Sequence, residues 1–275
     1  MASERTIPSL QREKIIEYLA EGKRFDGRAP EQYRDLKVEM GVSKNAESSV
    51  KVSLGKTEVL VGVKLGLAVP YPDSPDEGTF MVSAEMHPMA SNHFEMGRPG
   101  INAIELSRVT DRGIRESGLI DVKKLCIEEG EKVWQVFVDI VALNDDGNMF
   151  DAASLGAIIA LGNAKMPIYN KKEDKIDFEL TKDSLPLNKE VLSFSMTFHK
   201  VGDKIVADVS DEEEVISDFR LTVAMGDNKG EPRITAMQKG KEGVITDEDM
   251  ETILNLATET WKEMFPKVRE HVFGK

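Results

Sequence analysis

The chain has 275 residues, of which 40% are hydrophobic, and a formal net charge of -13. This length and composition predict a globular protein with a substantial core and exclude an intrinsically disordered chain. Because the overall field repels phosphate, any contact with a nucleic acid has to come from a local basic patch.

The N-terminal region predicts a helix followed by a polar turn. Residues 1–14 contain no hydrophobic signal region, and no apolar run approaches the roughly 20 residues of a membrane span, so we expect a cytoplasmic protein. Apolar spacing predicts a helix over residues 9–21, with Ser9 as its N-cap and Gly22 as its stop. Residues 24–30 form a polar turn with Asp-Gly at its centre.

The segment that follows predicts β-structure and an irregular loop. Hydrophobicity alternates with a period of two over residues 36–67 around a Gly-Lys turn, which predicts a hairpin, and residues 79–85 predict another strand. The loop 86–100 contains His87 and His93 near two glutamates. These side chains suggest metal ligands, but their spacing fits no zinc pattern. An adaptable Met-rich contact surface is favoured, and we predict neither a metal nor a cofactor.

A helix over residues 102–117 carries a row of arginines. Ile104, Leu106, Val109 and Ile114 predict its buried side, whereas the arginines recur at i, i+4 and i+7 on another side. This arginine stripe consists of Arg108, Arg112 and Arg115, and Arg98 upstream extends the basic patch. Such a stripe is able to bind an RNA backbone, or it pairs with the neighbouring Glu105 and Asp111 and is purely structural.

A strand, a turn and a helix dominate the middle of the chain. Residues 122–127, which include the single cysteine Cys126, and residues 132–143 predict strands, and we expect a buried thiol with no intramolecular disulfide. A turn rich in Asp and Gly then leads into a helix from Asp151. Backbone N–H groups at such a helix start suit an anion, but the local side chains are acidic. Either an Asp caps the helix, or a phosphate site has lost its cations.

The second half repeats the order of strands before a helix. Residues 169–182 predict a charged connector with a short strand, and residues 204–209 end in an acidic stretch from Asp208 to Asp218. This stretch predicts a solvated loop or, alternatively, a carboxylate pair for acid–base or Mg²⁺ chemistry, with Asp208 and Glu214 facing one pocket. The other predicted elements are strands 191–199, 219–225 and 234–238 and a helix 247–265 capped by Thr246.

This pattern predicts an α+β fold with two related βα layers. We predict an N-terminal helical extension over residues 1–29, a first domain over residues 30–187 and a smaller second α/β domain over residues 188–275.

Several short motifs, in this order and spacing, resemble the RNase PH family of phosphorolytic 3′→5′ exoribonucleases. They are Arg24-Phe25-Asp26-Gly27-Arg28, Gly55-Lys56-Thr57-Glu58-Val59, Ile104-Glu105-Leu106-Ser107-Arg108, Asp146-Gly147, and Asp208 with Glu214. The likeness is greatest to the non-catalytic ring subunits of archaeal exosomes. It implies a two-layer RNase PH-like fold with a ribosomal-protein-like core.

Departures from the family pattern indicate a lost phosphate site. Active members carry an arginine where this chain has Asn102 and another where it has Phe150, and Asp151 replaces a hydroxyl. A charge-assisted hydrogen bond contributes about 1.5–3 kcal/mol, so losing two costs about 3–6 kcal/mol, or 10² to 10⁴ in phosphate affinity. The residual carboxylates are Asp208 and Glu214, the second a Glu where Asp is usual.

The resemblance implies a chain that is not an enzyme by itself. It implies a hexameric ring of three heterodimers with a catalytic RNase PH-like paralogue, RNA-binding cap subunits, and single-stranded RNA threaded to the partner's site. We expect Arg112, Arg108 and Arg115, with Arg98 behind them, to contact RNA backbone phosphates without reading sequence. Two alternatives stay open: an exoribonuclease active on its own, phosphorolytic or metal-dependent, and a protein-only assembly scaffold.

Overall fold

The computed structural model describes residues 6–274 and confirms the α+β class. The α-helices are α1 (Ser9–Ala20), α2 (Ile101–Arg115), α3 (Met149–Asn163), α4 (Asp211–Ile216) and α5 (Asp247–Phe273). Two 3₁₀ turns cover Val122–Leu125 and Lys189–Val191. The strands are β1 (Leu36–Met40), β2 (Ser48–Leu54), β3 (Thr57–Ala68), β4 (Thr79–Met86), β5 (Cys126–Glu128), β6 (Lys132–Asn144), β7 (Lys165–Asn170), β8 (Lys175–Ser184), β9 (Ser193–Val201), β10 (Lys204–Ala207), β11 (Phe219–Asn228) and β12 (Glu231–Gly240).

The strands form two main sheets and a separate hairpin. The first sheet has the order β1-β2-β3-β6-β4, with β5 on the side of β6, and only the β4–β6 pair is parallel. The second sheet is antiparallel, in the order β10-β9-β11-β12, and β7 pairs with β8 alone. The predicted hairpins β2–β3 and β9–β10 are confirmed.

Helix α3 lies at the centre of the molecule. Every residue from Met149 to Leu161 is buried, because the helix contacts strands β2 and β3 of the first sheet, strand β9 of the second, and helices α2 and α5. A helix that is apolar on all sides belongs in such a core. The start of α3 therefore lies where both sheets and their loops meet.

Four local predictions are wrong. Helix α1 has Pro8 rather than Ser9 as its N-cap, with no side-chain cap. Residues 122–125 form a 3₁₀ turn rather than the first part of a strand, and only Cys126–Glu128 is extended. The predicted connector 169–182 belongs to the β7–β8 hairpin, and Cys126 is only partly buried.

Helix α5 continues beyond its predicted end. It passes through Pro266 and ends at Phe273, although an internal proline costs about 3 kcal/mol. The last two turns bury Val268 and Val272, and Val272 lies so close to Gly162 of α3 that a Cβ there would approach it to 2.4 Å. The burial of Val268 and Val272 offsets the helix hydrogen bond that is missing at Pro266, which has no backbone N–H. The predicted Thr246 cap is confirmed, and in the structure it forms a capping box with Asp249.

The acidic stretch is not the solvated loop that was predicted. Residues Asp211–Ile216 form α4, because Ser210 caps the helix and carboxylates in the first turn complement its dipole. Glu213 is buried against Arg24, whose Nε lies 2.9 Å from its Oε1. Within residues 6–274 no helix is both long and apolar enough to cross a membrane. The domain boundaries at residues 29 and 187 stay predictions, and residues 1–5 and 275 lie outside the described residues.

Candidate functional site

The site begins with the turn between β6 and α3. Gly147 has φ +84°, and a Cβ on it would lie 2.4 Å from the carbonyl carbon of Ser210. Only glycine allows this approach of the turn to the loop before α4. Asn148 follows in the left-handed region, at φ 55°, and precedes the first helical residue. The predicted Asp cap is therefore wrong, since Asn148 is the N-cap and gives no side-chain cap bond.

Asp208 is enclosed by donors from three residues. Its carboxylate accepts hydrogen bonds from Arg34 (N at 2.7 Å, Nε at 2.9 Å, Nη2 at 2.7 Å), from Arg28 Nη1 at 3.0 Å and from Asn148 Nδ2 at 2.8 Å. The side chain has no exposed surface. Burial opposes the charged form, but the Arg34 bonds outweigh it and hold the pKa of Asp208 below its ordinary value.

Asp151 lies beside this network and joins the two halves of the chain. Its carboxylate accepts bonds from Thr197 (N at 3.0 Å, Oγ1 at 2.7 Å), Asn148 Nδ2 at 2.9 Å and the Tyr33 hydroxyl at 2.8 Å. Burial raises the pKa of Asp151 to about 6 despite these donors. Burial, together with the charge of Asp151, raises the pKa of Tyr33 as well. We call the group Arg28, Tyr33, Arg34, Asn148, Asp151, Thr197 and Asp208 the buried network.

A cleft of about 500 Å³ opens on the other side of the turn. It contains three of the positions predicted from sequence, namely Asn102, Phe150 and Glu214. Its walls are formed by Met86, Phe94, Asn102, Glu105, Leu106, Asp145, Met149, Phe150, Glu214, Val215, Arg220 and Lys241. Glu214 Oε2 accepts a hydrogen bond of 3.0 Å from the backbone N of Asn148. Asn148 thus donates to both carboxylates, through its side chain to Asp208 and through its backbone N to Glu214, but only Glu214 lines the cleft.

Two cations of the cleft have no local signal in the sequence. Arg220 is buried, stacks on the Phe150 ring at 3.9 Å, and donates from Nη2 to Glu105 Oε1 at 2.6 Å. Lys241 donates to the Glu214 carbonyl and to Ser217 at the end of α4. Burial lowers the pKa of Lys241. The turn lacks neighbouring cations in sequence, but the fold supplies them from more than 60 residues away.

The arginine stripe divides into two parts. Arg108 and Arg112 are exposed beside a groove of about 410 Å³, and Arg112 Nη1 lies 3.4 Å from Gln238 Oε1. Arg115 instead pairs with Asp111 at 2.8 Å and stacks over Phe80 at 4.0 Å. The ion-pair alternative therefore holds for Arg115, whereas no ion pair of Arg108 or Arg112 is found among residues 6–274.

The loop before α2 contributes Arg98, which is exposed and lines a second groove. His87 Nε2 contacts Glu85 at 2.9 Å, whereas no set of three or more His, Cys, Asp or Glu side chains in the described part of the chain is arranged to hold a metal ion. Ile104, predicted on the buried side of α2, is 47% exposed, because the groove rather than the core lies beside it.

Comparison with known proteins identifies the family. Residues 32–167 match domain 1 and residues 193–260 match domain 2 of the 3′ exoribonuclease (RNase PH) family. The exosome complex component Rrp42 of Methanopyrus kandleri is 44% identical over 93% of this chain and 94% of its own. The chain belongs to the RNase PH family. The Rrp42 component of Thermococcus kodakarensis is 42% identical and covers 99% of both chains.

Solved structures of RNase PH-like chains have the same fold. A chain of the Archaeoglobus fulgidus exosome with RNA bound to the active site has a TM-score of 0.83 and 41% identity, covering 93% of this chain and 98% of its own. A chain of an archaeal exosome core has a TM-score of 0.81 and 38% identity over 95% of this chain and 97% of its own. These matches confirm the RNase PH-like fold predicted from the motifs.

Proposed function

We propose that this RNase PH-family chain is a non-catalytic subunit of an archaeal-type exosome, a 3′→5′ RNA-degrading complex. It pairs with a catalytic RNase PH-like paralogue in a hexameric ring of three heterodimers. It completes the partner's active site and guides single-stranded RNA toward it. RNA-binding cap subunits bind one face of this ring, and the complex acts in the cytoplasm.

The cleft carries this proposal. Phosphorolysis needs inorganic phosphate held in line with the scissile bond, and the RNase PH resemblance assigns two arginines to that task. Here the cleft has Asn102 and Phe150 at those positions, and the Phe150 ring supports Arg220. Arg220 is in turn neutralised by Glu105. The loss of two charge-assisted bonds corresponds to about 10² to 10⁴ in phosphate affinity, which supports a chain without its own phosphorolytic activity.

The buried network argues against a metal-dependent hydrolase. A carboxylate that ligates Mg²⁺ needs free oxygen lone pairs and access to water. Asp208 has no exposed surface, and five donors already occupy its two oxygens. Glu214 lines the cleft, whereas Asp208 is fully enclosed and does not. This geometry favours a structural role for Asp208.

Arg108 and Arg112 support an RNA-guiding role. Both are exposed on one side of α2 beside a groove, and Arg98 lies on the preceding loop. Exposed guanidinium groups bind backbone phosphates without reading sequence. Arg115, paired with Asp111, stays a weaker candidate for RNA contact. A local basic stripe on a chain of net charge -13 limits RNA contact to one surface.

Reconstitution tests the proposal. The chain is mixed with a catalytic RNase PH-like paralogue from an archaeal exosome, and phosphate-dependent decay of 5′-labelled single-stranded RNA is compared with that of each chain alone. We expect no decay by this chain alone, and decay that rises on mixing and falls when Arg112→Glu is used. A mixture that assembles but decays RNA equally with Arg112→Glu and the parent favours the protein-only scaffold.

A further inference from the structure

His199 is a buried histidine that has no part in the proposed function. It lies on β9 and is only 1% exposed. It shares a strand face with Thr197, whose hydroxyl bonds Asp151 of α3. The Nδ1 of His199 lies 2.9 Å from the Oγ of Ser217, the residue that follows α4. The other ring nitrogen, Nε2, is buried without a hydrogen-bond partner among residues 6–274.

Ser217 closes the C-terminal end of α4. Its Oγ donates to the carbonyl of Glu214 at 2.9 Å, one of the carbonyls that a helix end leaves free. Lys241 Nζ donates to the same carbonyl and to the Ser217 Oγ, the latter at 2.8 Å. Because the single hydroxyl proton of Ser217 goes to Glu214, its Oγ accepts from Lys241 and from an N–H at Nδ1 of His199. The neutral ring therefore ties β9 to the end of α4 and leaves Nε2 as a bare acceptor.

The charges around His199 oppose a second proton on its ring. Arg220 lies directly opposite His199 on β11, and Lys241 bonds the same serine. Burial, together with the charges of Lys241 and Arg220, lowers the pKa of His199 well below its ordinary value. On β10 the opposite residue is the uncharged Val206.

The carboxylates on the neighbouring elements have other partners. They are Glu105 of α2, Asp151 of α3, Glu214 of α4 and Asp218 in the turn after α4. Glu105 pairs with Arg220, Asp151 bonds Thr197, and the charges of Glu214 and Asp218 act on Lys241. None of the four accepts a hydrogen bond from the His199 ring, since Nδ1 bonds Ser217 and Nε2 is unpartnered.

We infer that His199 is a pH-sensitive switch that holds the end of α4 closed while neutral and opens it when protonated. A proton on Nε2 adds a third positive charge beside Arg220 and Lys241, and it gives the ring an N–H that has no acceptor. Opening residues 214–218 relieves both costs, because it brings the ring to water. The first turn of α4 stays in place, since Ser210 caps it and Glu213 bonds Arg24.

The pH range of the opening follows from proton linkage. The open form binds the proton with the ordinary pKa of about 6.5, whereas the closed form binds it only at lower pH. The end of α4 is therefore closed above pH 6.5, and its opening equilibrium constant rises about tenfold for each pH unit below 6.5. Asp151 acts with the opposite sign, because its pKa of about 6 favours the folded chain at low pH. The switch does not depend on the proposed function.

Amide hydrogen exchange of the full chain at pH 7.5 and pH 5.0 tests this inference. Each rate is divided by the intrinsic rate at the same pH to give a protection factor. We expect the protection of residues 214–218 to fall about ten- to thirtyfold at pH 5.0, while that of α3 is unchanged. His199→Asn places an amide near the position of Nδ1 and does not titrate, so it should remove the pH dependence. The matched control His271→Asn, at an exposed position of α5, should keep it.

Each outcome decides the inference. Equal protection of residues 214–218 at both pH values overturns it, as does the same loss in His199→Asn, which would assign the proton to another group. Should His199→Asn fail to fold, the NMR signal of the parent's His199 ring is followed from pH 7.5 to pH 4.5, and the other histidines are substituted in turn to assign it. We expect the ring to gain its proton only as residues 214–218 open. A ring that is protonated near pH 6.5 while these residues stay protected also overturns the inference.

Discussion

The buried network and the arginine stripe both contain arginines, but the surroundings of these arginines differ. Arg34 and Arg28 direct their guanidinium groups at Asp208 and have about a tenth of their side-chain surface exposed. Arg108 and Arg112 lie on the surface of α2, and no ion pair of theirs is found among residues 6–274. Charges of the first kind determine stability, whereas charges of the second kind are available to a ligand.

Asp208 and Glu214, which belong to one sequence motif, also differ in their surroundings. Asp208 and Glu214 are six residues apart, yet Asp208 faces the buried network and Glu214 faces the cleft. Asn148 lies between them, bonded to Asp208 through its side chain and to Glu214 through its backbone. Both carboxylates therefore have structural partners within this chain.

Breaking the buried network has the largest expected effect. Asp208→Asn removes the buried charge that Arg28 and Arg34 share and leaves them only the half-exposed Asp26 and Asp146, so we expect the free energy of unfolding to fall by about 3–5 kcal/mol. Urea denaturation at pH 7 measures this loss. The control Asp203→Asn, in the exposed β9–β10 turn, is expected to change stability by less than about 0.5 kcal/mol. A loss below about 1 kcal/mol for Asp208→Asn would contradict a structural role.

Reversing a charge in the arginine stripe is expected to weaken RNA binding without changing the stability of the fold. Arg112→Glu should weaken single-stranded RNA binding by the assembled ring about tenfold and reduce the salt dependence by about one phosphate contact. Assembly and unfolding should be unchanged, because Arg112 is exposed. Fluorescence titrations at several salt concentrations measure this. Arg12→Glu on α1 has the same charge change and is the control; unchanged affinity for Arg112→Glu removes α2 from the RNA path.

The pH dependence of stability distinguishes the two carboxylates of the network. The pKa of Asp151 is about 6 in the folded chain, above its ordinary 3.8, so its contribution to stability is present at low pH and is lost as pH rises through 6. Asp151→Asn removes this loss, since Thr197 Oγ1 is able to accept from the amide and donate to Thr222. We expect the variant to gain about 1–1.5 kcal/mol relative to the parent between pH 5 and pH 8. A difference that does not change with pH would mean that the carboxylate is stabilised as an anion.

The smallest effect is expected at Arg115. Its guanidinium already pairs with Asp111 and stacks on Phe80, and its side chain is 49% exposed. Arg115→Ala should therefore change RNA affinity less than about twofold and lower the free energy of unfolding by about 0.5–1 kcal/mol. The same titrations and a thermal unfolding series measure both quantities. A loss of affinity as large as that of Arg112→Glu would extend the RNA contact along the whole stripe.

Local patterns in the sequence predict much of the fold. The β2–β3 turn at Gly55, the Thr246 capping box and the order of strands before helices are each encoded within a few residues. Asn102 and Phe150 were identified through the family resemblance, and both line the cleft. The stripe on α2 follows from helical periodicity, although its division at Arg115 does not.

Long-range contacts explain what the sequence does not predict. Asp208 accepts a hydrogen bond from Arg34, which lies 174 residues upstream, and Arg220 donates one to Glu105, which lies 115 residues upstream. No local spacing encodes these pairs, because the approach of the two sheets around α3 creates them. The predicted end of α5 at residue 265 is wrong for a related reason, since the packing of Val272 against α3 carries the helix through Pro266.

Product analysis with the isolated chain tests the central claim, that its cleft does not bind phosphate for phosphorolysis. Single-stranded RNA is incubated with this chain alone, with Mg²⁺ and saturating inorganic phosphate, and nucleoside diphosphates are quantified. We predict none above the level of a sample without protein, and release of diphosphates once the catalytic paralogue is added. Diphosphates produced by this chain alone would contradict the account. They would mean that another cation binds phosphate in place of the two missing arginines.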